Sequence, residues 1–178
     1  GITGDLAYKK IFPSLYHLTQ RARLDVPVVG VARGGMGLDT LRERVRDSVK
    51  RSVESVDGAA LAQLCARLRY VDGDYQAPAT FDALKRELGE SAHPLHYLAI
   101  PPSLFRTVVE NLGKAGAAAG ARVMVEKPLG RDLDSARTIN RELHRHFDER
   151  AIFRIDHFLG KEPVQNLLYF RFANAMLE

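Results

Sequence analysis

Features that mark several protein classes are missing from this sequence. One cysteine, Cys65, stands among the 178 residues, so an internal disulfide is impossible and a reducing compartment, the cytoplasm, is the expected location. No apolar run approaches the roughly 18 residues that a membrane-spanning helix needs, and the chain does not open on a charged and then apolar signal sequence. We therefore expect neither membrane association nor export, and we predict no metal site.

Charge is not concentrated in any one part of the chain either. Lysine and arginine number 26 against 22 aspartates and glutamates, which gives a net charge of +4. The basic residues are spread along helix-like stretches, whereas nucleic-acid binding requires a basic patch. With 46% apolar and 27% charged residues, the composition is that of an ordinary globular protein. A small anionic ligand is compatible with this charge, and a nucleic-acid partner is not predicted.

Short apolar runs rich in Val and Ile alternate with longer segments of helical periodicity, the pattern of βαβ units and a parallel sheet. The predicted strands are Pro27–Ala32, Leu68–Val71, His96–Ile100, Arg122–Glu126 and Ile152–Ile155. The predicted helices are Ile11–Gln20, Leu41–Val53, Ala59–Arg67, Ala79–Leu88, Ser103–Ala118, Leu133–Phe147 and one that opens near Lys161. We therefore predict an α/β fold with a doubly wound, mostly parallel, Rossmann-like sheet whose first strand precedes Gly1 and is cut off.

Four polar residues stand where an N-cap oxygen could accept a hydrogen bond from an orphan backbone N–H. They are Asp39, Asp57, Ser103 and Asp132. Each precedes a segment of helical periodicity, so we expect helices to begin just after them.

Two segments suggest dinucleotide binding. The glycines of Gly1-Ile2-Thr3-Gly4-Asp5 would let the backbone turn tightly and bring its N–H groups against a pyrophosphate at a helix N-terminus, although a plain turn has the same composition. At the end of the next strand, Arg33 offers a planar cationic donor fork suited to a 2′-phosphate, which favours NADP over NAD. A solvated strand-end arginine is the alternative for that position.

Lys127 follows an apolar strand and should lie at the carboxyl edge of the sheet, where open α/β sheets bind ligands. A lysine there can donate to a substrate hydroxyl or to the cofactor, and Pro128 can hold a cis bond that fixes the turn. The alternative is an ordinary charged residue at a junction between a strand and a turn.

The densest polar cluster leaves the last predicted strand and enters a helix. His157 and Lys161 supply donors for a phosphate ester, and the helix N-terminus adds a positive field. The Asp156 carboxylate would repel a phosphate, so it is better suited to orienting a histidine general base. Read without the other motifs, the cluster also fits a polar loop that caps a helix.

Five segments together resemble the nucleotide-binding domain of the glucose-6-phosphate dehydrogenase family from one end of the chain to the other. They are GITGDLAYKKIFPSL, VARG, YLAIPPSLF, VEKPLGRDL and RIDHFLGKEPVQNLLYFRFAN. The resemblance implies that residues 1–178 form one dinucleotide-binding domain and that a C-terminal α+β domain, which carries the general-base histidine, is not part of them. One position departs from the family pattern, because Phe158 stands in place of the usual tyrosine and lacks its hydroxyl.

The resemblance also implies roles for individual residues. The implied cofactor site consists of Gly1, Thr3, Gly4 and Asp5 in the dinucleotide loop, Arg33 at the 2′-phosphate, Pro101 with Pro102 beside the nicotinamide, and Lys127 between sugar and cofactor. The implied substrate site consists of Lys10, Lys127, His157 and Lys161. Lys127 and Asp156 are the implied catalytic residues, with Lys127 bridging sugar and cofactor and Asp156 orienting the base.

The activity implied by the resemblance is the NADP-dependent oxidation of glucose 6-phosphate at C1 to the lactone, the first step of the oxidative pentose phosphate pathway. Some members of the family use NAD, and the full-length protein is expected to be a homo-oligomer. Residues 1–178 alone are expected to bind NADP weakly and to have no dehydrogenase activity.

Two other functions remain open at this point. Dehydrogenases of the glucose–fructose oxidoreductase type also carry an EKP turn after a Rossmann strand, and they act on unphosphorylated sugars. A non-catalytic homologue that binds NADP is the second alternative, supported only by Phe158.

Overall fold

Five strands and seven α-helices make up the fold of the described residues. The computed structural model describes residues 1–156, 158 and 160–174. The strands are β1 Val28–Ala32, β2 Leu68–Asp72, β3 Leu95–Leu98, β4 Arg122–Glu126 and β5 Ile152–Ile155. The helices are α1 Phe12–Gln20, α2 Leu38–Ser52, α3 Gly58–Arg67, α4 Pro78–Leu88, α5 Phe105–Lys114, α6 Leu133–His144 and α7 Glu162–Phe172. A π-helical turn, Ala7–Ile11, runs directly into α1, and 3₁₀ turns occupy Pro102–Leu104 and Glu149–Ala151.

The strands form two parallel groups. β1 pairs with β2, from Val28 opposite Leu68 to Ala32 opposite Asp72, and β4 pairs with β3 on one side and β5 on the other. An apolar groove of about 490 Å³ lies between β1 and β3. A strand ahead of Gly1 stays a prediction.

Helices cover both faces of the sheet, so the doubly wound prediction is confirmed. Successive side chains of a strand point to opposite faces, and β1 separates two apolar clusters in this way. Val28 packs against a cluster built from α1, α2 and α3, whereas Val29 and Val31 pack against a cluster built from α4, α5 and α6. Each cluster contains fully buried side chains, such as Phe12 and Leu41 in the first.

Two of the four expected N-caps are confirmed. The Asp57 carboxylate accepts hydrogen bonds from the first turn of α3, and Asp132 forms a capping box with Ser135 at the start of α6. Asp39 does not cap α2, because that helix begins at Leu38 after the extended residue Gly37. The Asp39 carboxylate lies within the first turn instead and binds Arg42 at 3.0 Å.

Ser103 is also not a cap, since it lies inside the 3₁₀ turn that precedes α5. That helix ends at Lys114 and not at Ala118, because Gly116 takes a φ of 66° that a right-handed helix does not allow. The predicted third strand likewise ends two residues early, at Leu98.

Helix α7 differs from the other α-helices because none of its residues is buried. Its large apolar side chains are exposed, namely Leu167, Leu168, Tyr169, Phe170 and Phe172. Among the residues that the structure describes, no helix combines the length and the apolar character needed to cross a bilayer.

Candidate active site

The glycine-rich loop lies between the carboxyl ends of β1 and β3. The Ile2 N–H donates to the Val31 carbonyl at 3.3 Å, and the Gly1 nitrogen donates to the Ala99 carbonyl. The first hydrogen bond of the following helix runs from Tyr8 N–H to the Gly4 carbonyl at 3.1 Å. The N–H groups of the first turn therefore have no helical carbonyl to bond, and such groups can receive an anion.

Small residues are required where this loop passes the strands. A Cβ on Gly1 would lie 2.8 Å from the Tyr75 hydroxyl, and a Cβ on Gly30 in β1 would lie 2.7 Å from the side chain of Ile2. The close approach of loop and strand therefore depends on glycine at position 30, whereas a side chain at position 1 would displace the Tyr75 hydroxyl. This close approach leaves the backbone of the loop near the edge of the sheet, as dinucleotide binding requires.

Helix α2 braces the same loop through one of its faces. The guanidinium of Arg44 donates to the Thr3 carbonyl at 3.1 Å and lies over the ring of Tyr8, 4.8 Å from its centroid. The Tyr8 hydroxyl donates to Asp47, which lowers the pKa of that carboxyl. Because residues 44 and 47 are three apart in a helix, both face the loop. None of the sequence motifs predicts this contact between α2 and the loop.

Arg33 follows β1 and meets the loop that follows β2. Ala32 pairs with Asp72 in the parallel register, so the residues just beyond the two strands are also neighbours. Arg33 Nη1 lies 3.1 Å from Asp74 Oδ2. The Asp72 carboxylate accepts the N–H groups of Gly34 and Gly35 at 3.1 and 3.2 Å.

Lys127 and Asp156 come together where β4 and β5 end. In the register of these strands Glu126 pairs with Ile155, so Lys127 and Asp156 occupy the next pair of positions, and the lysine Nζ donates to the aspartate Oδ2. The second oxygen of Asp156 accepts the N–H of Phe158 at 3.0 Å. The Lys127–Pro128 peptide bond is cis, as the resemblance implies.

Glu126, the residue before Lys127, is held from the neighbouring strand. Its carboxylate accepts a hydrogen bond from the hydroxyl of Tyr97 in β3. Burial and this carboxylate raise the pKa of the Tyr97 phenol, so the phenol stays protonated and remains a donor. The backbone that presents Lys127 is therefore tied to β3 as well as to β5.

The other predicted site residues lie on separate segments of the chain. Lys161 directly precedes α7, and its ammonium lies 5.8 Å from the centroid of the Phe158 ring. Pro101 precedes the 3₁₀ turn after β3, and Lys10 is exposed in the π-helical turn. His157 lies outside the described residues.

Two acidic residues of this edge were missed by the sequence analysis, Asp72 and Asp74. They flank Gly73 at the end of β2. The rule that selected Lys127, a polar residue just past the carboxyl end of a strand, selects them as well. Within the described part of the chain, no group of three or more His, Cys, Asp or Glu residues could hold a metal ion.

Comparison with known proteins identifies the family. The family model described as "Glucose-6-phosphate dehydrogenase, NAD binding domain" matches residues 1–166. A curated relative from Mycobacterium bovis, glucose-6-phosphate 1-dehydrogenase 1, is 45% identical over 177 residues, which are 99% of this chain and 38% of the relative. A cytoplasmic glucose-6-phosphate 1-dehydrogenase from Arabidopsis thaliana is 36% identical over 192 residues, 98% of this chain and 37% of the relative.

Solved structures agree with this result. The Mycobacterium avium glucose-6-phosphate 1-dehydrogenase has a TM-score of 0.90 and 47% identity, with 99% of this chain and 39% of that chain covered. A glucose-6-phosphate dehydrogenase in complex with its substrate glucose-6-phosphate has a TM-score of 0.85 and 36% identity over the same shares. The chain thus spans little more than a third of the length of these relatives. It belongs to the glucose-6-phosphate dehydrogenase family, and residues 1–166 match that family's NAD-binding domain.

Proposed function

We propose that residues 1–178 supply the cofactor domain and part of the substrate site of an NADP-dependent enzyme that oxidises glucose 6-phosphate at C1 to 6-phosphoglucono-lactone. The observation that carries this proposal is the contact between Lys127 and Asp156. It joins the ends of two neighbouring strands at the edge where the glycine-rich loop also lies. The structure of a relative in complex with glucose-6-phosphate supports the choice of substrate.

The proposed reaction breaks two bonds at the sugar. The hydroxyl proton on C1 passes to a general base, and the C1–H bond breaks with its electron pair as hydride, which leaves a carbonyl at C1. A nicotinamide cofactor, when bound, supplies the hydride acceptor. Lys127 would donate to the reacting oxygen and hold it near the cofactor, so that close positioning lowers the barrier. Asp156 would orient the histidine base, which by resemblance lies outside residues 1–178.

Recognition of the sugar phosphate is assigned to His157 and Lys161, with Lys10 near the substrate. Lys161 is the N-cap residue of α7, an 11-residue helix, so its ammonium and the positive end of the helix would attract the same anion. Phe158 cannot donate to the phosphate, which removes a hydrogen bond of about 1.5–3 kcal/mol to a charged acceptor. We therefore expect weaker phosphate affinity than in relatives that carry tyrosine there.

NADP is the proposed cofactor, with NAD as a second one. The residues fit a dinucleotide, because the glycine contacts leave the loop backbone open to a pyrophosphate and Arg33 is 78% exposed just beyond β1. Gly1, Thr3, Gly4 and Asp5 would hold the pyrophosphate, Arg33 the 2′-phosphate, and Pro101 with Lys127 the nicotinamide end. We also propose a homo-oligomer and, as the Arabidopsis relative is named cytoplasmic, a cytoplasmic location.

The substrate is tested by assaying the full-length protein with NADP and either glucose 6-phosphate or glucose. We expect turnover with the phosphorylated sugar and at least a hundredfold lower kcat/KM with glucose, since two or more charge-assisted hydrogen bonds would be lost. The variant Lys161→Ala should raise KM for glucose 6-phosphate, while Lys114→Ala, which removes a lysine at the far end of α5, should not. Equal turnover of both sugars would indicate a sugar dehydrogenase of the other type, and no turnover with retained NADP binding would indicate a sensor.

A further inference from the structure

The arginine assigned to the 2′-phosphate is already bound to a carboxylate. Arg33 Nη1 lies 3.1 Å from Asp74 Oδ2, and the aspartate side chain is 41% exposed. The guanidinium has five N–H donors, so this contact leaves donors available for a ligand. A ligand at Arg33 therefore also meets the charge of Asp74.

The position of Asp74 is fixed by contacts other than the one with Arg33. Its Oδ1 accepts the N–H of Gln76 at 2.9 Å, and its carbonyl accepts the hydroxyl of Thr80 at 2.8 Å. The Gln76 N–H, together with Arg33, lowers the pKa of the Asp74 carboxyl. Asp74 is thus an ionised group held in the turn between β2 and α4, and moving its carboxylate away from a ligand would break the hydrogen bond from Gln76.

The neighbouring Asp72 does not compete for the same role. Its Oδ1 accepts the N–H groups of Gly34 and Gly35 at 3.1 and 3.2 Å, while the nearby Tyr70 hydroxyl donates to the Ala32 carbonyl at 2.9 Å. These contacts fix the backbone next to Arg33 in an unusual conformation. Gly34 and Gly35 there have φ values of 141° and 65°, which other residues rarely adopt. Asp72 therefore stabilises the loop backbone, whereas Asp74 contacts the Arg33 side chain.

The two cofactors make opposite demands on this pair. The ribose of NAD presents a 2′-hydroxyl, which can donate a hydrogen bond to a carboxylate. The ribose of NADP presents a 2′-phosphate, which an arginine binds and a carboxylate repels. An arginine alone would favour NADP, and a carboxylate alone would favour NAD.

We propose that Asp74 is a specificity-determining residue that lets this site accept NAD beside NADP and limits the preference for NADP. The proposal rests on the assignment of Arg33 to the 2′ position in the proposed function. A phosphate bound to the far side of the guanidinium lies on the order of 6 Å from the Asp74 carboxylate, and solvent-screened repulsion at that distance corresponds to roughly a tenfold loss of affinity.

The test is steady-state kinetics of the full-length protein with NADP and with NAD at low ionic strength. Asp74→Asn keeps an oxygen for the Gln76 N–H and removes the charge. We expect kcat/KM to rise about three- to tenfold with NADP and to fall with NAD. The difference should shrink as salt is added, because the carboxylate acts through an exposed charge.

Asp39→Asn is the matched control, because Asp39 also forms an exposed ion pair with an arginine, at 3.0 Å, on the neighbouring helix α2. It should leave the ratio of the two kcat/KM values unchanged. If the Asp74→Asn protein does not fold, Asp74→Ser replaces it, since a hydroxyl oxygen can accept the same backbone N–H.

Arg33→Gln separates failure of this inference from failure of the proposed function. If Arg33→Gln leaves the NADP-to-NAD ratio unchanged, the 2′-phosphate assignment is wrong and the role of Asp74 is overturned with it. If Arg33→Gln shifts the ratio toward NAD while Asp74→Asn leaves it constant or shifts it in the same direction, Asp74 alone is misassigned. A rise in the ratio for Asp74→Asn and a fall for Arg33→Gln support both.

Discussion

The β1–β2 pair and the β3–β4–β5 sheet hold their site residues in different ways. At the carboxyl end of β1, the glycine-rich loop and the Arg33 loop are fixed by contacts with strand carbonyls, with α2, and with Asp72 and Asp74 at the end of β2. Beyond β4 and β5, Lys127 donates to Asp156, and Asp156 also accepts the N–H of Phe158 at 3.0 Å. The helix that follows them, α7, buries none of its residues.

This difference matches the roles proposed for the two regions. A pyrophosphate would be bound by backbone N–H groups of the β1–β2 region, and a rigid backbone keeps such groups in place. A proton transfer needs side chains that exchange partners during the reaction, and the Lys127 ammonium, whose side chain is 59% exposed at the end of β4, is placed to do so. Variants of the two regions should therefore fail differently, in turnover for one and in folding and cofactor binding for the other.

The largest effect is expected from Asp156→Asn, with Lys127→Met beside it. Each should lower kcat of the full-length protein by about 10²–10⁴, the usual range for losing acid–base function or its support. Thermal unfolding should change little, because the Lys127 side chain is 59% exposed and lies outside both apolar clusters, and because asparagine at position 156 keeps an oxygen for the Phe158 N–H. Lys114→Met is the control for losing a lysine away from the site. A large drop in Tm with unchanged kcat would contradict the prediction, because it would mean that Lys127 and Asp156 act in folding and not in turnover.

A smaller effect is expected from Gly30→Ala, and it should appear in stability and cofactor binding instead of turnover. The new Cβ would lie 2.7–2.9 Å from three side-chain atoms of Ile2, so the glycine-rich loop must move. We expect a loss of about 1–3 kcal/mol in the free energy of unfolding, as for overpacked sites, and a raised KM for the cofactor with kcat nearly constant. Both are measured on the full-length protein, by denaturation and by steady-state kinetics.

Gly58→Ala is the matched control, since a Cβ added there, at the start of α3, would meet no atom of the described residues within 4 Å. That change should leave KM unaltered and keep or slightly increase stability, by roughly 0.5 kcal/mol. If Gly30→Ala behaves like Gly58→Ala, the loop is not coupled to β1 as its contacts indicate.

The smallest effect concerns His96 in β3, which is buried and hydrogen-bonds through Nε2 to the Ala117 carbonyl at 2.8 Å. Burial lowers the pKa of this imidazole. A lowered pKa in the folded state means that the unfolded chain binds the proton more tightly. The contribution of His96 to stability is therefore complete above the unfolded pKa of about 6.5 and is lost as pH falls below it.

The measurement is urea denaturation at several pH values between about 8 and 5, which bracket the unfolded pKa of histidine. His96→Gln can still donate to the Ala117 carbonyl but does not titrate, so its stability should fall less with decreasing pH than that of the wild type. His17→Gln, a change at an exposed histidine of α1, should keep the wild-type slope. Equal slopes for all three proteins would mean that His96 titrates normally.

Much of the local structure was predictable from the chain because its causes are local. The spans of β4 and β5 were predicted to the residue. In β4 a short apolar run lies between Arg122 and Glu126, and β5 is rich in Ile and Phe and is followed by Asp156. Asp57 and Asp132 were identified as caps because a side-chain oxygen reaches only the next few N–H groups. The prediction of Asp39 as a cap was wrong because the true N-cap, Gly37, has no side chain that would mark it. The Gly37 carbonyl accepts the first hydrogen bond of α2, from the Leu41 N–H at 3.1 Å.

The sequence by itself determined which residues stand at the carboxyl ends of strands, and so which side chains could share one edge of a parallel sheet. Only the tertiary structure decided which of them touch. Lys127 meets Asp156, and Arg33 meets Asp74, because the strands before them pair in one register. That register is selected by apolar packing on both faces of the sheet between residues far apart in the chain, and a shift by one position would turn every strand side chain to the opposite face.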